Sequence, residues 1–229
     1  MRVAGIIGGL GPETSAEFYL ELIARSHSKN KRQRPPILLW NVPIPNKVEE
    51  ELILKGEGDK KFLPFLLEAA KNLEKGGADF IIIPCNTVHI FINEIREAVT
   101  IPVLSIVEET VAVLKKSEIK KIGFLSTELT IRKNVYSPLF KQHAISPILP
   151  TPVQQKTINR TIQNILTHAT SETDAENLKT IMESLVRKRA EAIVLACTDL
   201  QHIAKEQSDI PIFDTMKILA DATVREILS

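Results

Sequence analysis

A strong net charge is the first thing that this sequence lacks. Its 229 residues include 29 lysines and arginines against 28 aspartates and glutamates, which leaves a formal net charge of +1. Proteins that bind nucleic acid or anionic membranes by bulk electrostatics carry a marked excess of positive charge. The composition therefore gives no reason to expect nucleic acid as a partner.

Long hydrophobic runs are missing too. A membrane span needs roughly 18 or more consecutive apolar residues, and no stretch of this sequence approaches that length. The apolar beginning, Met1 to Gly8, is too short for a signal peptide and has no small-residue cleavage site. We therefore expect a cytoplasmic protein without a membrane partner.

Cysteine is scarce, with only Cys85 and Cys197 in the chain. In a secreted protein the two could form one long-range disulfide, whereas in a reducing compartment they would remain thiols. Neither cysteine has a nearby pair of further ligands, so the spacing does not indicate a zinc site. We expect no bound metal.

Short apolar runs alternate with amphipathic stretches along the whole chain. Strands that are apolar on both faces and are joined by helices indicate a parallel sheet covered on both sides, which is an α/β fold. Two helices stand out by their apolar spacing, within Glu17–Ala24 and Leu63–Glu74, and Gly76-Gly77 ends the second. The predicted strands are Val3–Ile7, Ile37–Val42, Phe80–Ile83, Val103–Ile106, Ile122–Leu125, Ile193–Leu195 and Ile212–Phe213.

The sequence contains an internal repeat. The segment Gly76–Thr87, which ends in an apolar run and Cys85, has a counterpart in Lys188–Asp199, which ends in an apolar run and Cys197. Each is followed by a helix and then by an Ile-Pro strand, at Thr100–Leu104 and Asp209–Phe213. Earlier in each half, residues 6–14 match residues 122–130 as a strand, a turn of small residues and a helix start.

This repeat predicts two pseudo-symmetric domains, each a parallel sheet flanked by helices. We place them at residues 1–100 and 101–213, with a last helix at about 214–229 that packs back on the first domain. In open parallel sheets, ligands bind beyond the carboxyl ends of the strands. We therefore expect the active site in the cleft between the two domains.

Both cysteines fall at such an edge, directly after an apolar strand and before a predicted helix. A helix N-terminus carries unpaired N–H groups and partial positive charge, which favour a thiolate. Asn86, Thr87 and Thr198 stand next to the thiols and can donate hydrogen bonds to a carboxylate. Two thiols that face one substrate from opposite sides would suit racemisation, in which a base removes the Cα proton and an acid returns one to the other face.

Four segments identify a resemblance to the aspartate/glutamate racemase family, and to its aspartate-racemase branch. The resemblance covers essentially the whole chain and implies a two-domain pseudo-symmetric fold, a two-thiol mechanism without pyridoxal phosphate or another cofactor, and a homodimer. The segments are Ile7-Gly8-Gly9-Leu10-Gly11-Pro12-Glu13-Thr14, Pro84-Cys85-Asn86-Thr87-Val88-His89, Leu125-Ser126-Thr127-Glu128-Leu129-Thr130 and Ala196-Cys197-Thr198-Asp199.

The resemblance also implies the roles of individual residues. Cys85 and Cys197 match the acid/base pair, and a cofactor-independent amino-acid racemase acting on aspartate or a similar acidic amino acid follows. Lys47 stands where many relatives have an arginine for the side-chain carboxylate; it keeps the charge but loses the two-pronged contact. The substrate-binding candidates are Leu10, Lys47, Asn86, Thr87, Thr127 and Thr198.

Several alternatives stay open. The Lys47 substitution leaves room for glutamate, a broad range of amino acids, hydantoin or maleate as substrate, and a silent amino-acid-binding protein would bind without exchanging the α-proton. His89 and Asp199 have either a role at the thiols or a structural one. A dinucleotide-binding oxidoreductase is disfavoured, because Thr14 replaces the third glycine of the fingerprint and no acid follows the second strand.

Overall fold

The computed structural model describes residues 1–45, 47–48, 51, 58–204 and 210–229. The chain divides into two compact units, one made of Met1–Glu109 with Met216–Ser229 and the other of Thr110–Thr215. Within the described ranges, none of the helices combines the length and apolarity that crossing a bilayer requires.

The first unit is built on a parallel four-stranded sheet in the order β2-β1-β3-β4. A 3₁₀ helix at Thr87–Phe91 follows β3, and the C-terminal helix α9 at Thr215–Leu228 belongs to this unit from Met216 onward. The other elements are β1 (Ala4–Gly8), α1 (Pro12–Lys29), β2 (Ile37–Asn41), α2 (Asp59–Lys75), β3 (Phe80–Ile82), α3 (Ile92–Ala98), β4 (Val103–Leu104) and α4 (Ile106–Lys116), which runs on into the second unit.

The second unit repeats this plan with a parallel sheet in the order β6-β5-β7-β8. A 3₁₀ helix at Leu200–His202 follows β7. The other elements are β5 (Lys121–Ser126), α5 (Glu128–Arg132), α6 (Ser137–Gln142), β6 (Ser146–Ile148), α7 (Pro152–Leu166), α8 (Glu172–Arg187), β7 (Ala192–Ala196) and β8 (Ile212–Asp214).

The predicted fold class is confirmed: each sheet is parallel and flanked by helices. All seven predicted strands are present within a few residues of their expected limits. The strand that the sequence did not indicate is β6, a three-residue edge strand whose Ser146 and Pro147 are exposed. An exposed edge strand carries no apolar pattern, so hydrophobicity could not reveal it.

Strand pairing fixes the alignment of the repeat. Ala4 pairs with Phe80 in the first sheet, and Ile122 pairs with Ala192 in the second. Since Phe80 and Ala192 hold the same position before the two cysteines, Ala4 corresponds to Ile122. The sequence alignment, which set Ile6 against Ile122, is wrong by two residues within the strands, because runs of similar apolar residues match equally well in several registers. It is right at the helix starts, where Gly11 and Thr127 are the equivalent N-cap residues.

One glycine pair follows directly from the corrected alignment. Gly5 on β1 and Gly123 on β5 are equivalent, and each lies under a helix that packs closely on its sheet. A Cβ at Gly5 would lie 2.9 Å from Ala78 Cβ, and one at Gly123 would lie 2.6 Å from Ile193 Cδ1 and 3.1 Å from Leu185 Cβ. Both strands therefore need a residue without a side chain at this point.

We expect Gly5→Ala to lower the free energy of unfolding by about 1–3 kcal/mol, which is the usual range for overpacking. Gly123→Ala should cost less, because its closest contact is the terminal methyl of Ile193, which can rotate away, whereas the closest contact at Gly5 is the fixed Cβ of Ala78. Urea unfolding of both variants beside the unmodified protein measures the two losses. A larger loss for Gly123→Ala would contradict this ranking.

Candidate active site

In the first unit, the segment after β3 brings Cys85, Asn86 and Thr87 to the carboxyl edge of the sheet. Cys85 is half-buried, while Asn86 and Thr87 are 2% and 3% exposed. Leu10, another predicted binding residue, is buried two residues after β1. Because β1 and β3 are neighbours in the sheet, these four residues lie at the ends of adjacent strands.

His89 ties the Cys85 segment to the start of α4. Its Nδ1 lies 2.8 Å from the Cys85 carbonyl oxygen, and the Ile106 backbone N–H donates to its Nε2 at 3.1 Å. Since Nε2 accepts, Nδ1 carries the proton and donates to Cys85. Burial lowers the pKa of His89 to about 4. The imidazole is therefore neutral and holds the backbone of Cys85, not its sulfur.

In the second unit, Cys197 follows β7 and is only 5% exposed. Its Sγ donates a hydrogen bond to Asp199 Oδ2 at 3.6 Å, and the Asp199 side chain is itself buried. The two cysteines thus occupy equivalent positions in the repeat but differ in surroundings. At Cys197 the acceptor is a carboxylate, whereas Thr87 takes the corresponding position after Cys85.

Thr127 and Thr198 lie at the same edge as Cys197. Strands β5 and β7 are neighbours, with Ser126 opposite Ala196, so the residues that follow them are close in the fold. Thr127 caps α5, since its Oγ1 accepts from the Thr130 N–H at 3.2 Å and shares a hydrogen bond with the Thr130 hydroxyl at 2.9 Å. Thr198 is 3% exposed.

The turns after both cysteines differ from the prediction. Short 3₁₀ helices stand where α-helices were expected, because backbone N–H groups bond three residues back: His89 N to Asn86 O, and Leu200 N to Cys197 O, each at 3.2 Å. After Cys85 the 3₁₀ helix runs directly into α3, whereas the one after Cys197 ends at His202. That a helix N-terminus favours a thiolate at either cysteine stays a prediction.

Lys47 is exposed, six residues beyond the end of β2. Its neighbour Asn46 lies outside the described residues. Gln155 is a buried polar residue of the second unit, at the edge where Cys197 lies, and the sequence analysis did not identify it. Its Nε2 donates to the Ser126 carbonyl at 2.9 Å. A glutamine in a helix is usually exposed, so no sequence signal marked it.

Comparison with known proteins identifies the family of this chain. The sequence profile of the Asp/Glu/hydantoin racemases matches residues 7–223. The chain belongs to this family. Racemases are isomerases, and the family has the two-sheet architecture described above.

Individual relatives of the Asp/Glu/hydantoin racemase family cover almost the whole chain. The broad specificity amino-acid racemase RacX of Bacillus subtilis (strain 168) is 29% identical over 230 residues, 98% of each chain. The structure of Picrophilus torridus aspartate racemase covers 99% of this chain and 94% of its own, with a TM-score of 0.84 and 26% identity. That of PH1733, an aspartate racemase homologue from Pyrococcus horikoshii OT3, has a TM-score of 0.83 at 24% identity over all of both chains, and shows the shared fold.

The buried, neutral state of His89 predicts a loss of stability in acid. In the unfolded chain its pKa is 6.5, and in the folded chain it is about 4. The stabilising contribution is complete above pH 6.5 and is lost as the pH falls towards 4, by about 3 kcal/mol if the whole shift is realised.

Urea unfolding between pH 7.5 and 4.5 measures this loss, and His89→Gln is the matched control. A glutamine oxygen at this place still accepts from Ile106 but does not titrate. We expect the variant to lose less stability over this range than the unmodified protein. Parallel stability curves for the two proteins would contradict the assignment.

Proposed function

We propose that this protein is a cofactor-independent amino-acid racemase in which Cys85 and Cys197 are the two proton carriers. The observation that carries the proposal is their equivalence: each cysteine follows the third strand, in chain order, of a sheet with the same strand arrangement, at the carboxyl edge where ligands bind. Membership of a racemase family supports a reaction that needs one proton carrier for each face of a carbon.

The proposed reaction moves one proton in each direction. The thiolate of one cysteine removes the proton from Cα, and the electron pair of the broken C–H bond delocalises into the carboxylate. The thiol of the other cysteine then gives its proton to the opposite face of Cα, which completes the inversion. Hydrogen bonds to the carboxylate stabilise the charge of the intermediate, and Asn86, Thr87, Thr127 and Thr198 supply them in this proposal.

The surroundings of the thiols support unequal roles at rest. Cys197 donates a hydrogen bond to the Asp199 carboxylate, and a negative charge beside a sulfur disfavours a thiolate. We therefore assign the thiol form to Cys197 in the resting enzyme, which makes Cys85 the first base in this proposal. A disulfide between them would abolish the reaction, so the chemistry fits a reducing compartment such as the cytoplasm.

For the substrate, aspartate or a similar acidic amino acid is our first candidate. Lys47 is a cation beyond the end of β2 that can take one contact to a side-chain carboxylate, weaker than the paired contacts of an arginine. The relatives differ in substrate range, since one is a broad specificity amino-acid racemase and another an aspartate racemase. A substrate range wider than aspartate alone is consistent with both relatives. We also expect the homodimer that the family resemblance implies.

Proton exchange in D₂O tests the reaction itself. The purified, reduced protein is incubated with each enantiomer of aspartate, glutamate, alanine and lysine, and NMR follows deuterium at Cα while chiral chromatography follows inversion. We expect deuterium to enter Cα of at least one amino acid as its enantiomer accumulates, with aspartate the first candidate. Binding of an amino acid without any exchange would contradict the proposal and indicate a binding protein.

Replacing either thiol tests the two-carrier assignment. Cys85→Ala and Cys197→Ala should each lower the rate of racemisation by at least about 100-fold, because each removes the proton carrier of one face. Unchanged far-ultraviolet circular dichroism checks that both variants fold. Racemisation at the unmodified rate in either variant would show that its cysteine is not a carrier.

A further inference from the structure

Gln155 belongs to a chain of polar side chains at the carboxyl edge of the second unit. It lies in the first turn of α7 and is 9% exposed. Its Nε2 donates to the Ser126 carbonyl at 2.9 Å and to Asn159 Oδ1 at 3.0 Å, and Asn159 Nδ2 donates to Glu128 Oε2 at 2.9 Å. The carboxamide of Gln155 is thus held at two points.

The two ends of this series of hydrogen bonds determine the orientation of the Gln155 and Asn159 amide groups. The Ser126 carbonyl and the Glu128 carboxylate are both acceptors, so each must meet a nitrogen. Reversing either amide would set two oxygens against each other at one end or in the middle. The nitrogen of Gln155 is therefore committed to Ser126 and Asn159, and its Oε1 is the atom left for another partner.

That oxygen is buried and has no hydrogen-bond partner among the residues that the structure describes. Buried polar atoms in folded proteins are nearly always hydrogen-bonded, and an exception calls for an explanation such as a functional role. In the first unit the corresponding carbonyl, Gly8 O, is served by the backbone N–H of Val42 at 3.0 Å. In the second unit a side chain, that of Gln155, donates to the equivalent Ser126 carbonyl instead. The same side chain adds an acceptor, Oε1, that the first unit's backbone contact does not have.

The position of Gln155 relates it to Cys197. A helix that follows a strand in a parallel sheet starts at the carboxyl edge, and Gln155 is in the first turn of the helix that follows β6. Its anchor, Ser126, is paired with Ala196, the residue before Cys197. The carboxamide is therefore at the edge where the second proton carrier lies.

We propose that Gln155 Oε1 accepts a hydrogen bond from the α-ammonium group of the substrate. The inference rests on the proposed function and narrows its substrate class. A carboxylate cannot donate to this oxygen, but an ammonium group can, and it is the donor that every free α-amino acid carries beside Cα. Neighbouring atoms cover the oxygen, so the proposed contact requires a local movement of the Gln155 side chain when the substrate binds. The site then selects free amino acids over dicarboxylates such as maleate.

Binding of matched ligand pairs tests this inference. Isothermal titration calorimetry compares L-aspartate with succinate, L-glutamate with glutarate and L-alanine with propionate, each pair differing only in the ammonium group. We expect the unmodified protein to bind the amino acid of at least one pair more tightly than its partner. Equal affinity within all pairs, or no binding of any amino acid, would overturn the inference.

Gln155→Met keeps the length of the side chain and removes the carboxamide, both its oxygen and the nitrogen that bonds to Ser126 and Asn159. A hydrogen bond to a charged group is worth enough to lower the preference for the amino acid over its desamino partner by about 10- to 100-fold. Gln154→Met is the matched control: Gln154 precedes Gln155 on α7, and its substitution likewise removes a carboxamide with two hydrogen bonds, to Thr151 and to Ser184 of α8. We expect the control to keep the preference; a preference kept by Gln155→Met would overturn the inference.

If Gln155→Met fails to fold, the smaller Gln155→Ala takes its place, since it also removes the oxygen. A weakened preference then supports the inference, and an unchanged one overturns it. Exchange in D₂O separates this question from the proposed function. Exchange with a preference independent of Gln155 leaves the racemase standing, whereas a preference that depends on Gln155 without exchange leaves an amino-acid site standing.

Discussion

Parallel pairing of four strands within each unit is the constraint on which the candidate site depends. In a parallel sheet all carboxyl ends meet at one edge, so residues far apart in sequence become neighbours there. Strand β1 lies between β2 and β3, which sets Leu10 beside the Cys85 segment, and β5 does the same for Thr127 and Cys197. The glycines at Gly5 and Gly123 allow the helices to pack closely on these central strands.

The two units keep the end of the third strand in place by different means. In the first unit, His89 bridges the carbonyl of Cys85 and the N–H of Ile106. In the second, Thr215, which corresponds to Ile106, donates its hydroxyl to the Leu195 carbonyl at 2.8 Å. Both devices join the third strand to the helix after the fourth strand. Cys85 is thus held through its own carbonyl, and the strand before Cys197 is held two residues earlier, at Leu195.

Much of this arrangement could be predicted from the sequence because apolar runs and repeats are local signals. The strands other than β6, the parallel sheets and the equivalent places of Cys85 and Cys197 follow from such patterns. The rest depends on contacts that no local pattern records. The register of the repeat needed strand pairing, and the turns after the cysteines are 3₁₀ because N–H groups bond at short range there. The burial of Gln155 depends on Ser126, which is 29 residues away.

The single carboxylate beside one sulfur has a consequence for how a two-thiol racemase recovers between turnovers. In the proposed two-thiol mechanism, each inversion leaves the proton on the opposite sulfur, so the form that releases product differs from the form that accepted the substrate. With Asp199 at Cys197 and Thr87 at the equivalent place after Cys85, the two protonation forms differ in free energy. One enantiomer then reacts with the more populated protonation form of the free enzyme, and the other enantiomer requires the less populated form. At high substrate concentration, the return of a proton through solvent would set the pace in one direction more than in the other.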